Sequence, residues 1–282
     1  MRFINYRQFR IPKRKGGFRV IEQPLGDGLE ILQNKLIELE KEPLLKPSYF
    51  SHAFMRGRNI VTCARQHFGN RYISRMDISD FFGSVTLNNF MALMHRKNKL
   101  TEKQYNTLKS KIAICFKYDP KRNDYYLPQG SPTSPFLSNS YLRFFDWKCA
   151  WVCYERGLIY SRYADDLFVS GNKLNKEFYG ALSIIKQQLK AIDLKENFKK
   201  RKIMKQGKQM NIVGIVVNEK FQIPKKTRKI IRAMLHNSKK NDTPLTMEQK
   251  GLINFRDMVD TYDKKLKTNI EICRNIDVAR AL

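Results

Sequence analysis

The sequence predicts an α+β fold in which a small antiparallel sheet is backed by helices. Two runs of strand-forming residues, 158–163 and 167–170, flank an Ala-Asp-Asp tripeptide at 164–166 and predict a hairpin with two carboxylates at its tip. A third run, RYISRMD at 71–77, predicts a strand that ends at a carboxylate. Apolar residues at helical spacing, first found over 29–39, predict the helices that cover the sheet.

The other elements follow from capping residues, turn residues and periodicity. Thr86 is a suitable N-cap for a helix that begins at Leu87. The segment LPQGSPTSP at 127–135 is rich in Pro, Gly and Ser and predicts a loop or the entry to a helix. A change in composition near residue 220 predicts a boundary before a C-terminal helical part. We expect helices over 60–67, 87–95, 101–116, 136–154, 178–189 and beyond Pro224, a hairpin or loop over 117–126, and one strand over 211–218.

The charge balance indicates a polyanionic partner. Lys and Arg number 54 against 26 Asp and Glu, so the formal net charge is +28. Such an excess repels itself in a compact fold unless a polyanion neutralises it, and nucleic acid phosphates bind Lys and Arg with release of counterions. A membrane surface is the alternative, but the charges are spread along the whole chain rather than along one amphipathic helix. The sequence therefore favours a nucleic-acid-binding protein.

Cysteine usage and hydropathy predict a cytoplasmic protein without a membrane partner. The five cysteines form no CxxC pair, and their odd number argues against a disulfide framework. Residues 1–10 are polar and basic and lack the apolar core of a signal peptide. No stretch approaches the roughly 18 apolar residues that a membrane-spanning helix needs.

Three aspartates are the candidates for chemistry: Asp77 at the end of one predicted strand, and Asp165 and Asp166 at the tip of the predicted hairpin. If these strands are neighbours, the carboxylates converge at one edge, where like charges raise one another's pKa. Divalent cations resolve this conflict, and two of them can stabilise the attacking and leaving oxygens of a phosphoryl transfer. An Asp-Asp pair alone is more often a solvated turn. The strand-forming flanks, Asp77 and the 127–135 loop together favour the metal site.

Three segments resemble boxes of the reverse transcriptase family. YADD at 163–166 looks like its YxDD box, DISDFF at 77–82 like its first catalytic box, and LPQGSPTSP at 127–135 like its LPQG-x-x-x-SP box. They occur in the family's order, and GLIYSRYADDL at 157–167 is close to the retron type in particular. The resemblance covers about residues 13–220, most of the chain.

The resemblance implies a right-hand polymerase with fingers over 1–70 and an insertion at 98–126, an antiparallel-sheet palm over 71–221, and a short helical thumb over 222–282. The implied activity is RNA-directed DNA synthesis, in which a primer hydroxyl attacks the α-phosphate of a deoxynucleotide and pyrophosphate leaves. Catalysis would depend on positioning and on electrostatic stabilisation by two Mg²⁺ ions, with Mn²⁺ able to substitute.

The catalytic and metal-binding roles, carried over by position, fall on five residues. Asp77 and Asp165 would bind both metals, Asp166 would support them, and Ile78 would offer its backbone carbonyl to a metal. Lys200 stands in a segment that looks like the family's Asn-x-x-Lys box and would approach the pyrophosphate as a general acid. A solvated face or backbone contacts would explain the same run of lysines, so this role stays open.

The nucleotide-binding roles fall on Arg19, Phe82, Gln129 and Gly130. Phe82 would sit under the incoming sugar, where a bulky ring excludes a 2′-hydroxyl, while Phe81 would belong to the core. Gln129 would contact the nucleotide or the template, and Gly130 would allow close backbone approach. Arg19 matches a fingers arginine that clamps the triphosphate, because a guanidinium fork suits phosphate oxygens.

The primer and template contacts fall on Gly214 and on the first thumb helix. Gly214 lies in a strand that resembles the support of the primer end. Lys225, Arg228 and Arg232 would lie against duplex phosphates, contacts that position without reading sequence. The implied partners are a structured non-coding RNA that serves as template and primer, the RNA–DNA hybrid, deoxynucleotide triphosphates and a separate effector protein. The product would be a short RNA-linked single-stranded DNA used in anti-phage defence in a bacterial cytoplasm.

Two departures from the retron pattern leave alternatives open. Retron enzymes carry Asn-Ala-x-x-His ahead of the first catalytic box, whereas CARQH at 63–67 keeps only the Ala and the His. Their Val-Thr-Gly element is Ile-Val-Gly at 212–214. The alternatives are another defence-associated or group II intron-like reverse transcriptase, and a catalytically idle RNA-binding module. The three clustered acids argue against the idle module, and Phe82 argues against an RNA-dependent RNA polymerase.

Overall fold

The computed structural model describes residues 4–13 and 16–268. The last part of the predicted thumb, residues 269–282, lies outside the described residues. The strands are β1 (Tyr6–Pro12), β2 (Phe18–Pro24), β3 (Tyr72–Asp77), β4 (Lys117–Asp119), β5 (Asp124–Tyr126), β6 (Ile159–Tyr163), β7 (Asp166–Gly171), β8 (Lys202–Lys205), β9 (Asn211–Ile212) and β10 (Ile215–Val216). The α-helices are α1 (Gly28–Leu39), α2 (Ile60–Gln66), α3 (Leu87–Asn98), α4 (Glu102–Ile112), α5 (Ser134–Tyr141), α6 (Arg143–Tyr154), α7 (Lys176–Lys190), α8 (Lys225–Lys240) and α9 (Met247–Thr268).

A four-stranded antiparallel sheet lies at the centre of the fold, in the order β6-β7-β3-β8. Its register places Tyr163 opposite Asp166 and Asp166 opposite Asp77. The end of β3 and the tip of the β6–β7 hairpin therefore lie side by side. The predicted α+β class, the hairpin around 164–166 and the strand that ends at Asp77 are confirmed.

The two faces of this sheet enter two hydrophobic cores, because successive side chains of a strand point to opposite sides. On β7, Leu167 and Val169 belong to the larger core, which also contains residues of α1 and of α3 to α7. Phe168, between them, belongs to a second core with residues of α2, β9, β10, α8 and α9. On β3, Met76 belongs to the larger core and Ile73 belongs to the second core. Burial on both faces holds the acid-bearing end of the sheet in a fixed position.

Glu22 connects the β1–β2 hairpin to the neighbouring β4–β5 hairpin and to the 127–135 loop. Its buried carboxylate accepts hydrogen bonds from Gln8 Nε2, Lys117 Nζ and Tyr126 Oη, and its backbone N–H donates to the Gln129 carbonyl at 2.7 Å. Burial alone would raise the pKa of Glu22, but the hydrogen bonds from Lys117, Tyr126 and Gln8 outweigh it and hold that pKa below its usual value. Of the two alternatives predicted over 117–126, a hairpin or a loop, the structure shows the hairpin.

The prediction of one continuous helix over 136–154 is wrong, because two helices, α5 and α6, meet at Leu142. Near the break, Ser140 Oγ donates to the backbone carbonyls of Phe136 and Leu45. Serine bonds of this kind to the preceding turn bend helices. Apolar residues continue at helical spacing through both helices, so periodicity alone does not reveal the break.

Helix α3 and helix α4 begin as predicted but α4 ends early. The Thr86 hydroxyl accepts from the Asn89 N–H at 3.3 Å, which confirms Thr86 as the N-cap of α3. Helix α4 ends at Ile112 and a 3₁₀ turn follows over Ala113–Cys115, so the helix predicted to reach residue 116 is too long. The chain must leave the helix there because β4 begins directly afterwards.

The single strand predicted over 211–218 is also wrong, because β9 and β10 form a tight antiparallel hairpin. Val213 and Gly214 make the turn with φ values of +47° and +89°. The Asn211 side chain accepts from the Gly214 N–H at 2.9 Å and closes the turn. The φ of +89° at position 214 explains why a glycine occurs there, since residues with a Cβ rarely adopt that conformation.

The predicted C-terminal helices are present as α8 and α9, which pack on the second core through Ile231 and Val259. They confirm the helical part that the sequence predicts beyond Pro224. Within residues 4–13 and 16–268, none of the helices is both long and apolar enough to cross a membrane.

Candidate active site

The three predicted acids lie together at one end of the central sheet. Asp77 closes β3, Asp166 opens β7 directly opposite it, and Asp165 occupies the two-residue turn before Asp166. The Ile78 N–H donates to the Asp165 carbonyl at 2.9 Å, which ties the turn to the end of β3. Ala164, the other turn residue, has φ +54°, a strained value for a residue with a Cβ.

Asp77 is the most deeply buried of the three acids, with 2% of its surface exposed. Its Oδ2 accepts from Lys200 Nζ at 2.8 Å, whereas its Oδ1 is buried and has no hydrogen-bond partner among the described residues. Its backbone carbonyl accepts from the Asn197 N–H at 2.8 Å, so the segment that carries Lys200 is fastened to the end of β3. A buried carboxylate oxygen without a partner is costly unless another group binds it.

Asp165 and Asp166 are both harder to ionise than an exposed aspartate. Burial raises the pKa of Asp165, and the nearby Asp77 carboxylate raises it further. Burial raises the pKa of Asp166 to about 6, and its bidentate contact with Arg75 limits the rise. Arg75 Nε and Nη2 lie 2.8 and 2.9 Å from the two Asp166 oxygens. The site thus holds more negative charge than its cations neutralise.

The donor set fits a divalent cation. Oxygen ligands from carboxylates suit Mg²⁺, and a cation would satisfy Asp77 Oδ1 and relieve the repulsion between Asp77 and Asp165. In the described part of the chain, no three His, Cys, Asp or Glu side chains form a ready-made metal-binding group. Asp166 is paired with Arg75, whereas Asp77 keeps its buried Oδ1 without a partner among the described residues. The metal roles of Asp77, Asp165, Asp166 and the Ile78 carbonyl stay predictions.

The phenylalanine pair follows the strand that carries Asp77, and the 127–135 loop is hydrogen-bonded to β2. Phe81 is buried and Phe82 is half-buried, with ring centroids 5.0 Å apart. Gly130 has φ +131°, and a Cβ there would lie only 2.7 Å from the Glu22 carbonyl. Gln129 offers its backbone carbonyl to Glu22, which the sequence did not suggest. The backbone segment that Gly130 approaches closely in this structure is β2 of the protein itself.

The remaining predicted residues lie on other elements than the three acids. Arg19 is exposed on β2, and no described hydrogen bond or ion pair joins it to the three acids. Gly214 forms the β9–β10 turn. On α8, Lys225 and Arg232 are exposed, while Arg228 is half-buried, with its Nε buried and unpartnered within residues 4–13 and 16–268.

Sequence reasoning missed two cations around the acids. Arg75 binds Asp166, and a signal for it existed, because residues two apart on a strand share a face and Arg75 precedes Asp77 by two. Arg162 lies inside the protein beneath the hairpin tip, in a bidentate pair with Asp146. A charged residue within a strand gives no sign of such a partner, because Asp146 lies on a different element.

Comparisons with known proteins agree with this geometry. A family model described as reverse transcriptase (RNA-dependent DNA polymerase) matches residues 11–217. The retron Ec86 reverse transcriptase of Escherichia coli is 31% identical over 242 residues, which cover 83% of this chain and 70% of that protein. The retron Mx65 reverse transcriptase of Myxococcus xanthus is 29% identical over 255 residues, which cover 86% of this chain and 58% of that protein. The chain spans 58% and 54% of the first two curated relatives, the retron Mx65 and Ec83 proteins.

A solved structure supports the fold alone. The telomerase of Candida albicans, solved with a fragment of telomeric RNA, superposes with a TM-score of 0.54 at 12% identity, over 80% of this chain and 46% of that one. A central antiparallel sheet with acids at its end, flanked by an N-terminal hairpin and C-terminal helices, is the right-hand polymerase fold. The chain belongs to the reverse transcriptase family, and its relatives of 30% identity or more place it with the retron reverse transcriptases. Members of this family use divalent metal ions.

Proposed function

We propose that the protein is an RNA-directed DNA polymerase that copies a structured non-coding RNA into short, RNA-linked single-stranded DNA. The observation that carries this proposal is the meeting of Asp77, Asp165 and Asp166 at one end of a sheet, with a buried Asp77 oxygen that lacks a partner. Family membership supports the polymerase activity. The similarity to retron proteins supports the RNA-linked product.

Asp77 and Asp165 would hold two Mg²⁺ ions, or Mn²⁺ in their place, with support from Asp166 and the Ile78 carbonyl. Bound there, the ions would supply Lewis-acid stabilisation of the attacking and leaving oxygens of an in-line phosphoryl transfer. The protein's own contribution is to hold both carboxylates in place. Arg75 contributes by holding Asp166, whose two carboxylate oxygens it binds through Nε and Nη2.

Lys200 would deliver a proton to the leaving pyrophosphate. It lies on the segment after Asn197, and its Nζ is already 2.8 Å from Asp77 Oδ2, at the edge of the acid cluster. Its side chain is about half exposed, so it can turn from Asp77 towards a bound triphosphate. The competing role is neutralisation of Asp77 alone, which needs the charge of Lys200 but not its proton.

Selection of deoxynucleotides would depend on Phe82. The ring packs against the buried Phe81 on the segment that follows Asp77, so its position is fixed by the core. A fixed ring at the sugar would clash with a 2′-hydroxyl. Gln129 and Gly130 would line the same pocket, and Arg19 on the β1–β2 hairpin would reach the triphosphate.

The rest of the hand would hold nucleic acid. We assign fingers to 1–70 and 98–126, palm to 71–221 and thumb to 222–282. Lys225, Arg228 and Arg232 on α8 would contact the phosphates of the RNA–DNA hybrid, and Gly214 would lie near the primer end. The net charge of +28 supports a large nucleic acid partner. We place the reaction in the bacterial cytoplasm, in anti-phage defence with a separate effector protein.

The proposal is tested with purified protein, labelled deoxynucleotides and Mg²⁺ on three templates: the RNA that co-purifies, a generic RNA–DNA primer-template and its all-DNA equivalent. A chelator and ribonucleotides serve as controls. We expect Mg²⁺-dependent incorporation of deoxynucleotides on RNA, and activity that is highest on the co-purified RNA would support the retron assignment. Binding of RNA without any incorporation would instead identify the idle RNA-binding module.

A further inference from the structure

Arg162 is the largest side chain that is fully buried in the described part of the protein, and the proposed reaction gives it no role. Its Nε and Nη2 form a bidentate ion pair with Asp146 at 2.9 and 2.7 Å. Its Nη1 donates to Asn139 Oδ1 at 2.9 Å and to the Ala164 carbonyl at 3.0 Å. One guanidinium therefore joins helix α6, helix α5 and the tip of the hairpin that carries the acids.

The contact with Ala164 acts on Asp165. The Ala164 carbonyl belongs to the peptide group before Asp165, and Arg162 holds it. The Asp165 carbonyl belongs to the peptide group after it, and the Ile78 N–H holds that one at 2.9 Å. With both flanking peptide groups fixed, φ and ψ of Asp165 are fixed as well. The position of its carboxylate then depends on these two hydrogen bonds.

The turn needs such support because it is strained. Ala164 has φ +54°, a conformation that is unfavourable for a non-glycine residue and persists only where neighbours enforce it. The Arg162 backbone is fixed too: its N–H donates to the Phe50 carbonyl and its carbonyl accepts from the His52 N–H. The strained turn is thus attached to a rigid support.

Stability alone does not explain this network. A buried ion pair is often no more stabilising than apolar side chains of similar volume, because desolvation of both charges offsets their attraction. Asp146 also accepts from Tyr160 Oη at 2.8 Å, and Asn139 accepts from Ser51 Oγ at 2.9 Å, so the network is fully hydrogen-bonded. What an apolar core cannot supply is a donor to the Ala164 carbonyl.

We propose that Arg162 is a positioning residue that fixes Asp165 for metal binding, through its hydrogen bond to the Ala164 carbonyl and with Asp146 as its anchor. The inference rests on the proposed polymerase function. Arg162 acts through the turn and touches no substrate. Groups that orient metal ligands in this way typically contribute about 10- to 100-fold in metal affinity or activity.

The test uses two variants of the full chain. Arg162→Lys keeps the charge, but a single ammonium group cannot reproduce the fork that spans Asp146, Asn139 and Ala164. The triple variant Arg162→Met, Asp146→Leu, Tyr160→Phe replaces the ion pair by apolar groups and leaves the Ala164 carbonyl without its donor. Arg156→Lys is the control, because Arg156 forms a partly exposed pair with Glu177 and donates to the Val152 carbonyl, and neither partner belongs to the acid site.

Two quantities are measured where circular dichroism shows folded protein: Mn²⁺ affinity, from the free-ion electron paramagnetic resonance signal, and the rate of deoxynucleotide incorporation at saturating nucleotide. We expect Arg162→Lys and the triple variant to bind Mn²⁺ roughly 10-fold more weakly and to react about 10- to 100-fold more slowly. Arg156→Lys should match the wild type. A purely structural role lowers the folded fraction but leaves the affinity of that fraction unchanged.

Wild-type Mn²⁺ affinity in whichever of the two variants folds would overturn the positioning role. If the wild type itself incorporates nothing, the proposed function fails, while the Mn²⁺ titrations still decide whether Arg162 positions Asp165. Failure of the function and failure of this inference are therefore distinguishable.

Discussion

Replacement of Gly130 by alanine should loosen the 127–135 loop from the β1–β2 hairpin. The new Cβ would lie 2.7 Å from the Glu22 carbonyl oxygen and 3.0 Å from Ile21 Cγ2, so the two segments must move apart by about 0.7 Å to reach ordinary contact. That movement weakens the hydrogen bond from the Glu22 N–H to the Gln129 carbonyl, which contributes about 1 kcal/mol. Overpacking adds roughly 1–3 kcal/mol.

Gly207→Ala is the matched control, because Gly207 also has a positive φ, +94°, but a Cβ there meets nothing within 4 Å. Both variants place a residue with a Cβ at a positive φ, and only Gly130→Ala adds the collision. We expect Gly130→Ala to melt roughly 5–10 °C below the control, since about 1 kcal/mol shifts the melting temperature of a chain near this size by 2–4 °C. The KM for deoxynucleotides should also rise. Equal melting temperatures of the two variants would refute the close approach of Gly130 to β2.

Three further predictions concern sugar selection, the leaving group and acid stability. Phe82→Ala should lower the preference for deoxynucleotides over ribonucleotides in kcat/KM, whereas Phe82→Tyr should retain it; equal preference in all three proteins would remove Phe82 from the gate. Lys200→Ala should slow incorporation about 100-fold. Lys200→Arg keeps the charge beside Asp77 but cannot release a proton. This variant should be as slow as Lys200→Ala if Lys200 is a general acid. It should incorporate at a nearly normal rate if Lys200 only neutralises Asp77. Burial lowers the pKa of His67 to about 3, so urea unfolding should show stability that falls as the pH drops from about 6.5 towards 3.

The sign of the His67 effect follows from its environment. The buried ring accepts or donates hydrogen bonds at both nitrogens, to Ser170 Oγ and Ser161 Oγ at 2.7 Å each, and is neutral in the folded state. The unfolded state takes up a proton near pH 6.5 and the folded state does not. The contribution of the neutral His67 ring to the stability of the folded state is therefore complete above about pH 6.5. Between pH 7 and pH 5 the free energy of unfolding falls by about 2 kcal/mol from this cause. His67→Gln should remove this part of the pH dependence, and an unchanged slope in the variant would contradict the assignment.

The acid-bearing end of the sheet was predictable because local patterns determine it. A strand that ends at Asp77 and a hairpin around 164–166 are each visible within about ten residues, and both are found as expected. Their meeting in one sheet needed the family resemblance, since strand order depends on long-range pairing. The register that places Asp77 opposite Asp166 came only from the structure.

Features that depend on partners distant in sequence could not be predicted. Glu22 looks like an ordinary strand residue, yet its carboxylate is bound by side chains 95 and 104 residues away. Asp146 resembles a solvated helix residue but is fully buried against Arg162. The hairpin at Gly214 could have been predicted from the sequence, because a glycine after a β-branched run is as typical of a tight turn as of an interrupted strand.

The most direct test of the polymerase assignment is deoxynucleotide incorporation on an RNA template by the wild type, Asp165→Asn and Asp242→Asn. The two variants remove the same charge, but Asp242 is exposed in the turn between α8 and α9, far along the chain from the acids. The account predicts that the wild type and Asp242→Asn incorporate label with Mg²⁺ and that Asp165→Asn, though folded, does not. Equal incorporation by Asp165→Asn, or none by the wild type on any template, would contradict it.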